Sequence, residues 1–387
     1  MPHPATRSSR QFLLALALFA ACAPVREPPA AGSTAPLAVP QPWSSDRPIR
    51  FLVLGDTQRP GAGQPANDRE RQAIYGRVAA ALADSTADFL FHVGDLIDHG
   101  SKASDWRDQF DALFWDHLSS PLRQRFFAVP GNHEYKGDML QYGGGGLGPY
   151  FERFRHLENR RYYHFFQGRA CFVAMDSGRN GIAKVLFGER WQNGLEEQIS
   201  WLRETLFPDL RRQVAAGELE VLILFFHKPA FTTPVQRRNR QSCEVLELFD
   251  RLNRELGHPL QIISFAGHIH TFSHIPLDLK GDGANPIHQF TMGGGGATQR
   301  GGVYFGRVKQ VEDLDLYRLG KYEELATDAK AGVDQLLFDQ LRADSTHFGY
   351  LEVVLDDPLR VIYQRFDQAT GSFHPDYVYT PPDRKGR

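Results

Sequence analysis

The amino-acid sequence predicts an α/β fold, a layered sheet whose functional residues gather along one rim. Three observations carry that prediction. Short apolar runs repeatedly end at a glycine or a polar residue, as buried strands leaving into loops do. Amphipathic helical patterns lie between those runs, and the polar strand ends extend from Asp56 to His270, a span that one domain must bring together. In alternating α/β chains ligands bind outside the carboxyl ends of the strands, so these exits are the first place to look for chemistry. Composition narrows the field further. A chain of 387 residues, 42% hydrophobic and 23% charged, supports a sizeable core and is neither a disordered chain nor a small stapled scaffold. Its formal net charge of -2 offers no global attraction for nucleic acid or an anionic membrane surface, so no nucleic-acid partner is expected. The 15 histidines matter because imidazole is the commonest metal ligand and a frequent acid or base.

At the N-terminus, Arg7 and Arg10 precede an apolar run from Phe12 to Ala23, about half the roughly 20 residues a membrane-spanning helix needs. That is the shape of a secretory signal. The run closes on Leu18-Phe19-Ala20-Ala21-Cys22, which resembles the lipobox of bacterial lipoproteins with Phe19 where that pattern usually has Leu. Lipidation of Cys22, cleavage nearby and an uncleaved anchor all place the body outside the cytoplasm, at the periplasm or cell surface, with membrane contact only through the anchor. Residues 1–22 are thus read as a signal peptide. Residues 23–47, part of a stretch with 7 prolines between Pro24 and Pro48, are read as a solvated tether. Export would permit a disulfide between Cys171 and Cys243, but Cys171 lies in an apolar run and reads better as a buried strand residue.

The body follows as residues 48–375, with 376–387 as a tail. Pro48 to Leu54 reads as a strand ending at Gly55-Asp56. A helix carrying Ile74, Val78, Ala81 and Leu82 follows, with Asn67 as its cap. Further strands run from Phe89 to Val93, Phe126 to Val129, Ala170 to Met175, Val221 to Phe226 and Ile262 to Phe265. Helices are expected around Leu195 to Leu206 and Val245 to Leu256. Tyr350 to Leu355 and Leu359 to Phe366 read as a hairpin closing a sheet edge, and 322–342 as a helical insertion.

Five segments combine a strand exit with a carboxylate, amide or imidazole: Gly55-Asp56-Thr57-Gln58, Gly94-Asp95-Leu96-Ile97-Asp98, Gly131-Asn132-His133-Glu134, Phe226-His227-Lys228-Pro229 and Gly267-His268-Ile269-His270. One such histidine would more often be a structural residue; five such segments on one rim reverse the odds. Mixed Asp, Asn and His ligation suits Mn, Fe, Zn or a neighbouring first-row metal better than Ca or Mg, and no cysteine lies in the set.

In this order the segments resemble the calcineurin-like metallophosphoesterase superfamily, whose fold is shared with purple acid phosphatases. The likeness covers roughly Pro48 to Phe366 and includes Tyr162 to Phe165, Met175-Asp176-Ser177 and Gly293 to Gly296. It implies a layered β-sandwich flanked by helices, with a dinuclear metal site at the strand ends. By position, Asp56, Asp95 and His270 would hold one metal, and Asp95, Asn132, His227 and His268 the other, with Asp95 as the bridge. A metal-bridging hydroxide would attack a phosphate ester of a small substrate, and His133 would be the general acid. Two departures stand out. Many relatives have His where this chain has Gln58, which either ligates through its neutral oxygen or hydrogen-bonds a metal-bound water. The tyrosine of the purple enzymes is replaced by Asp98, so no tyrosinate-ligated iron is expected, and Asp98 becomes a candidate partner of a site histidine. Arg237 and Arg238 are candidates for substrate phosphate, and Gly143 to Gly146 for a rim over the metals. His92, His164 and His347 are assigned to packing or surface, and His274 is left open. The reading is an exported phosphoric ester hydrolase. Its rivals are a catalytically weak metal- or phosphate-binding lipoprotein on the same fold, and a phosphodiesterase or nucleotide hydrolase in place of a monoesterase. Nothing in the sequence sets an oligomeric state.

Overall fold

Thirteen strands form two sheets among the described residues. The structure is a computed structural model, and it describes residues 35–39, 47–59, 67–136, 147–177, 190–231, 239–279, 285–297, 342–344 and 347–381. In chain order the strands are β1 (Ile49–Leu54), β2 (Phe89–His92), β3 (Phe126–Ala128), β4 (Tyr163–Gln167), β5 (Ala170–Ala174), β6 (Val221–Phe225), β7 (Gln261–Ala266), β8 (Phe272–Leu277), β9 (Ile287–Met292), β10 (Arg342–Asp344), β11 (Gly349–Leu355), β12 (Arg360–Asp367) and β13 (Ser372–Tyr379). The longer helices are α1 (Asp68–Ala83), α2 (Arg190–Trp201), α3 (Phe207–Ala215) and α4 (Arg240–Glu255). A π-helical turn, Leu202–Leu206, joins α2 to α3.

The first sheet has the order β13-β12-β11-β1-β2-β3 and the second β10-β8-β9-β7-β6-β5-β4. Each has a parallel centre, β1-β2-β3 in one and β5-β6-β7-β9 in the other. Antiparallel strands complete the margins. The sheets face each other across an aromatic core. Phe51 and Phe89 meet Phe172 edge-on, with ring centroids 5.5 and 5.1 Å apart, a favoured aromatic geometry. The outer face of the second sheet is covered by α2 to α4 through Leu202, Leu206, Val245, Phe249 and Leu252, and α1 lies against β2 of the first. This is the layered sandwich flanked by helices that the sequence implied. Cys171 and Cys243 are buried and form no disulfide, as the apolar setting of Cys171 suggested, and Cys243 Sγ donates to Ala230 O.

Several elements depart from expectation. The residues read as a solvated tether are docked at 35–39: Leu37 is buried, its N–H donates to His164 O at 2.7 Å, and Arg160 Nη1 donates to Ala35 O at 2.7 Å. A leucine that finds the apolar core stays there, and its backbone covers part of the edge strand β4. The C-terminal hairpin does not merely close an edge. β11 pairs with β1, so that β11 to β13 supply three of the first sheet's six strands, and β13 continues the meander to Tyr379, past position 375. Asn67 occupies the cap of α1, yet its side chain donates to Gly296 O instead of capping the helix. Apart from Arg342, which opens β10, the expected insertion at 322–342 lies outside the described residues, as do Cys22, Gly143 to Gly146, Arg237 and Arg238. No helix among the described residues is long and apolar enough to cross a membrane.

Candidate metal centre

The parallel strands of both sheets release their chains at the same rim, and backbone bonds stitch the loops across it. Asp56 N–H donates to Gly94 O, Thr57 N–H to Asp95 O, Gly267 N–H to His227 O and Gly295 N–H to Gly55 O, all at 2.9 to 3.0 Å. Glycines allow the approach. A side chain at Gly131 would collide with the Asp95 carboxylate, and one at Gly295 with Gly55 O. Three of the candidate ligands, Asp56, Asp95 and His268, themselves sit at positive φ, at 56°, 59° and 68°.

Asp95, His227 and His268 bring one ligand atom each within 4.8 Å of one another. His227 Nδ1 lies 2.9 Å from Val93 O and can only donate to that carbonyl, so its Nε2 lone pair faces inward. That Nε2 is 3.0 Å from Asn132 Oδ1, 3.4 Å from Asp95 Oδ1 and 3.2 Å from His268 Nδ1. On the other side of Asp95, Gln58 Nε2 is 3.4 Å from Asp95 Oδ2 and 3.4 Å from His270 Nε2, which lies 3.4 Å from Asp56 Oδ1. The two oxygens of Asp95 thus face the two halves of the set. Burial works against the charge on Asp95, but His227 and His133 outweigh it and hold its carboxyl well below the usual range. Burial opposes charge on His227 too, and Asp95 overrides it, carrying the imidazole up to about 9. Burial raises Asp56, against the pull of His270, and lowers His268, with the charge of His227 adding to the effect.

These residues fit a metal pair. Asp56 Oδ1 and Gln58 Oε1 are buried with no hydrogen-bond donor, an arrangement that costs about 1–3 kcal/mol per group unless something positive meets it. The donor set is three nitrogens with carboxylate and amide oxygens, which suits a first-row transition metal.

His133 stands beside the ligands. Its Nδ1 is 2.9 Å from Asp98 O and 3.0 Å from Asp98 Oδ1, and its Nε2 lies 3.7 Å from Asp95 Oδ2. Because the carbonyl can only accept, Nδ1 carries a hydrogen and Nε2 is turned towards the centre. Burial disfavours the imidazolium, yet Asp95 and Asp98 raise its pKa overall. The bond to His133, together with Lys136, keeps Asp98 well below the carboxylate range despite desolvation. Asp98 therefore partners His133, and His99 Nδ1 at 3.0 Å lies on its other oxygen.

Sequence reasoning missed the residues that fix these loops. Glu134 is fully buried, and its carboxylate accepts from the N–H of Asp95 and Leu96 at 2.8 Å and of Gly131 at 2.6 Å, clamping two ligand loops together. Burial and Asp95 push Glu134 up, to about 7, whereas the backbone donors favour its ionised form. Arg71, also buried, donates to Thr57 O and Gln109 O at 2.6 Å, and Gln109 Oε1 accepts from Arg59 N and Asp98 N. Ser177 Oγ accepts from the N–H of His227 and Lys228. His92 is held neutral by burial, at about 3, with Nδ1 accepting from Gly94 N–H and Nε2 donating to Thr57 Oγ1. His274 pairs with Tyr377 and His288 on β13 and β9, so it belongs to the sheet margin.

A family model for calcineurin-like phosphoesterases matches residues 49–272, more than half of the chain. The chain belongs to the calcineurin-like phosphoesterase family. Members of this family typically bind two transition metal ions, and family membership implies a metal-dependent hydrolase of phosphate esters. No curated protein sequence matches significantly. Among solved structures, GAP50, the anchor in the inner membrane complex of Plasmodium, is 13% identical with a TM-score of 0.49, covering 86% of this chain and 88% of that one. The purple acid phosphatase PPD1 of yellow lupin is 17% identical with a TM-score of 0.49, covering 89% and 54%. A dimetal phosphatase from Danio rerio is 15% identical with a TM-score of 0.45, covering 87% and 99%.

Proposed function

We propose that the protein is an exported, lipid-tethered phosphoesterase that hydrolyses small phosphate esters at a two-metal site. The observation that carries the reading is a proton donor set beside a ligand cluster without belonging to it. Asp56, Gln58 and His270 would hold one metal, Asn132, His227 and His268 the other, and Asp95 would be shared. When bound, such a pair lowers the pKa of water and neutralises charge on the phosphoryl oxygens. The protein's own groups do the rest. Asp98 and the Asp98 carbonyl fix the tautomer of His133, and Asp95 and Asp98 favour its protonated form against burial and the charge of Lys136. Its Nε2 then gives a proton to the departing oxygen as the phosphorus–oxygen bond breaks. His227 is oriented by Val93 and Ser177, and the clamp of Glu134 holds Asp95 and Asn132 in register while charge shifts at phosphorus.

The test pairs metal content with rate on one sample, using p-nitrophenyl phosphate and its bis-ester with Mn, Fe or Zn supplied. Metal bound and hydrolysis of either ester are expected. His133→Asn should keep the metal and lose about 10²- to 10⁴-fold in rate. Metal binding without turnover on any phosphate ester would mean a binding protein instead. Export and lipidation rest on the segment before Cys22, and loss of fatty-acid incorporation in Cys22→Ser is the outcome expected of them.

A further inference from the structure

The mouth of the site holds a cation that the mechanism above does not use. Lys136 ends the turn that carries Asn132 and His133, and its backbone is fixed twice. Its N–H donates to His133 O at 3.0 Å, and its carbonyl accepts from Ser101 N–H at 3.1 Å. From there Nζ reaches back over the turn to within 3.1 Å of Asp98 Oδ1, and 2.8 and 3.0 Å of His133 Nδ1 and Nε2. The Lys136 side chain is 26% exposed and that of His133 18%, so the ammonium stands at the entrance and not in the core. Nζ thus stands beside His133 Nε2, the nitrogen assigned to the departing oxygen.

We propose that Lys136 is a specificity-determining residue that favours substrates whose leaving group carries its own anionic charge, as in a phosphoanhydride. The inference rests on the phosphoesterase reading. In the reaction one phosphorus–oxygen bond forms to a water oxygen and the bond to the bridging oxygen breaks, with the electron pair staying on the bridging oxygen. An alcohol must then collect a proton from His133. A departing phosphate is already a stable anion, and a fixed cation beside it serves better than an acid. His133 and Lys136 hold the two devices at one position.

The test uses the full chain loaded with Mn and compares kcat/KM for a nucleoside diphosphate, 2-phosphoglycerate and glycerol 3-phosphate in wild type, Lys136→Met and Lys136→Arg. The first two substrates have anionic leaving groups, one a phosphate and one a carboxylate, which separates the two sources of charge. In Lys136→Met the ratio of anionic to neutral substrate should fall about 10- to 100-fold, as expected for one charge-assisted contact, with Lys136→Arg restoring most of it. A unchanged ratio, whether all three rates fall together or none does, overturns the role of Lys136 and leaves the phosphoesterase reading standing. A wild type that binds metal and hydrolyses none of the three, nor an aryl phosphate, overturns both.

Discussion

The two halves of the ligand set are built differently. In the half formed by Asn132, His227 and His268 around Asp95, backbone groups hold the ligands from behind. Val93 O anchors the back of His227, Ser177 Oγ accepts from its backbone N–H, and the backbone N–H of His133 donates to Asp95 Oδ1 at 2.9 Å. In the half formed by Asp56, Gln58 and His270, two buried oxygens receive no hydrogen bond. The ligands of the first half are fixed by backbone groups, whereas the second leaves bare oxygens for a cation to meet. Two metals on one scaffold should therefore bind with unequal affinity, the one at Gln58 more weakly, because a neutral amide oxygen replaces an imidazole there.

The sharpest way to break this contrast is to remove what the halves share. Asp95→Asn should reduce bound metal from two equivalents to below one and lower kcat at least about 10³-fold, read by elemental analysis and steady-state kinetics. Retention of both metals would show that Asp95 does not join them. Glu134→Gln acts on the same loops from behind. Losing the carboxylate that gathers the N–H groups of Asp95, Leu96 and Gly131 should weaken both metals by about 10- to 100-fold, seen by competition with a chelator. Gln58→His separates the halves: it should tighten the weaker metal by about tenfold and leave the tighter one unchanged in a calorimetric titration. Equal shifts at both sites would mean that the halves are not independent.

The smallest effect lies outside both halves and serves as their control. His164 on β4 is buried with neither ring nitrogen hydrogen-bonded, and desolvation, opposed by Asp209, lowers it to about 4. The unfolded chain, with an ordinary imidazole near 6.5, binds the extra proton first. Stability is thus complete above about pH 6.5 and is lost as pH falls towards 4, by at most about 1.4 kcal/mol per pH unit. His164→Phe should flatten that acid limb in chemical denaturation while metal affinity stays the same.

Much of this was legible in the sequence, for local reasons. β1, β2, β3, β5, β6 and β7 are continuous apolar runs buried on both sides, and they were placed to within about two residues because burial alone dictates their composition. β8 and β13 are among the strands not read from the sequence. Pro276, Ser273 and His274 break the pattern of one, and Pro375 and Asp376 that of the other, which lies at an edge beyond the register shift at Tyr363/Gln364. Pairing of β11 with β1 joins residues some 300 apart, and no local pattern encodes it. The candidate site divides in the same way. Asp56, Asp95, Asn132, His227, His268 and His270 announce themselves because ligands need particular side chains at strand exits. Glu134, Ser177 and the Arg71–Gln109 brace act on backbone atoms, whose positions only the finished fold defines.

The left-handed backbone at Asp56, Asp95 and His268 has a consequence for how such a protein can change. Outside glycine that conformation costs about 1–2 kcal/mol per residue, so each of the three metal-facing positions is a place where the chain is less comfortable than it could be. As far as the backbone is concerned, glycine would relax all three. Selection for firmness alone would therefore erode the centre first, and the presence of two aspartates and a histidine there marks where usefulness has outweighed durability.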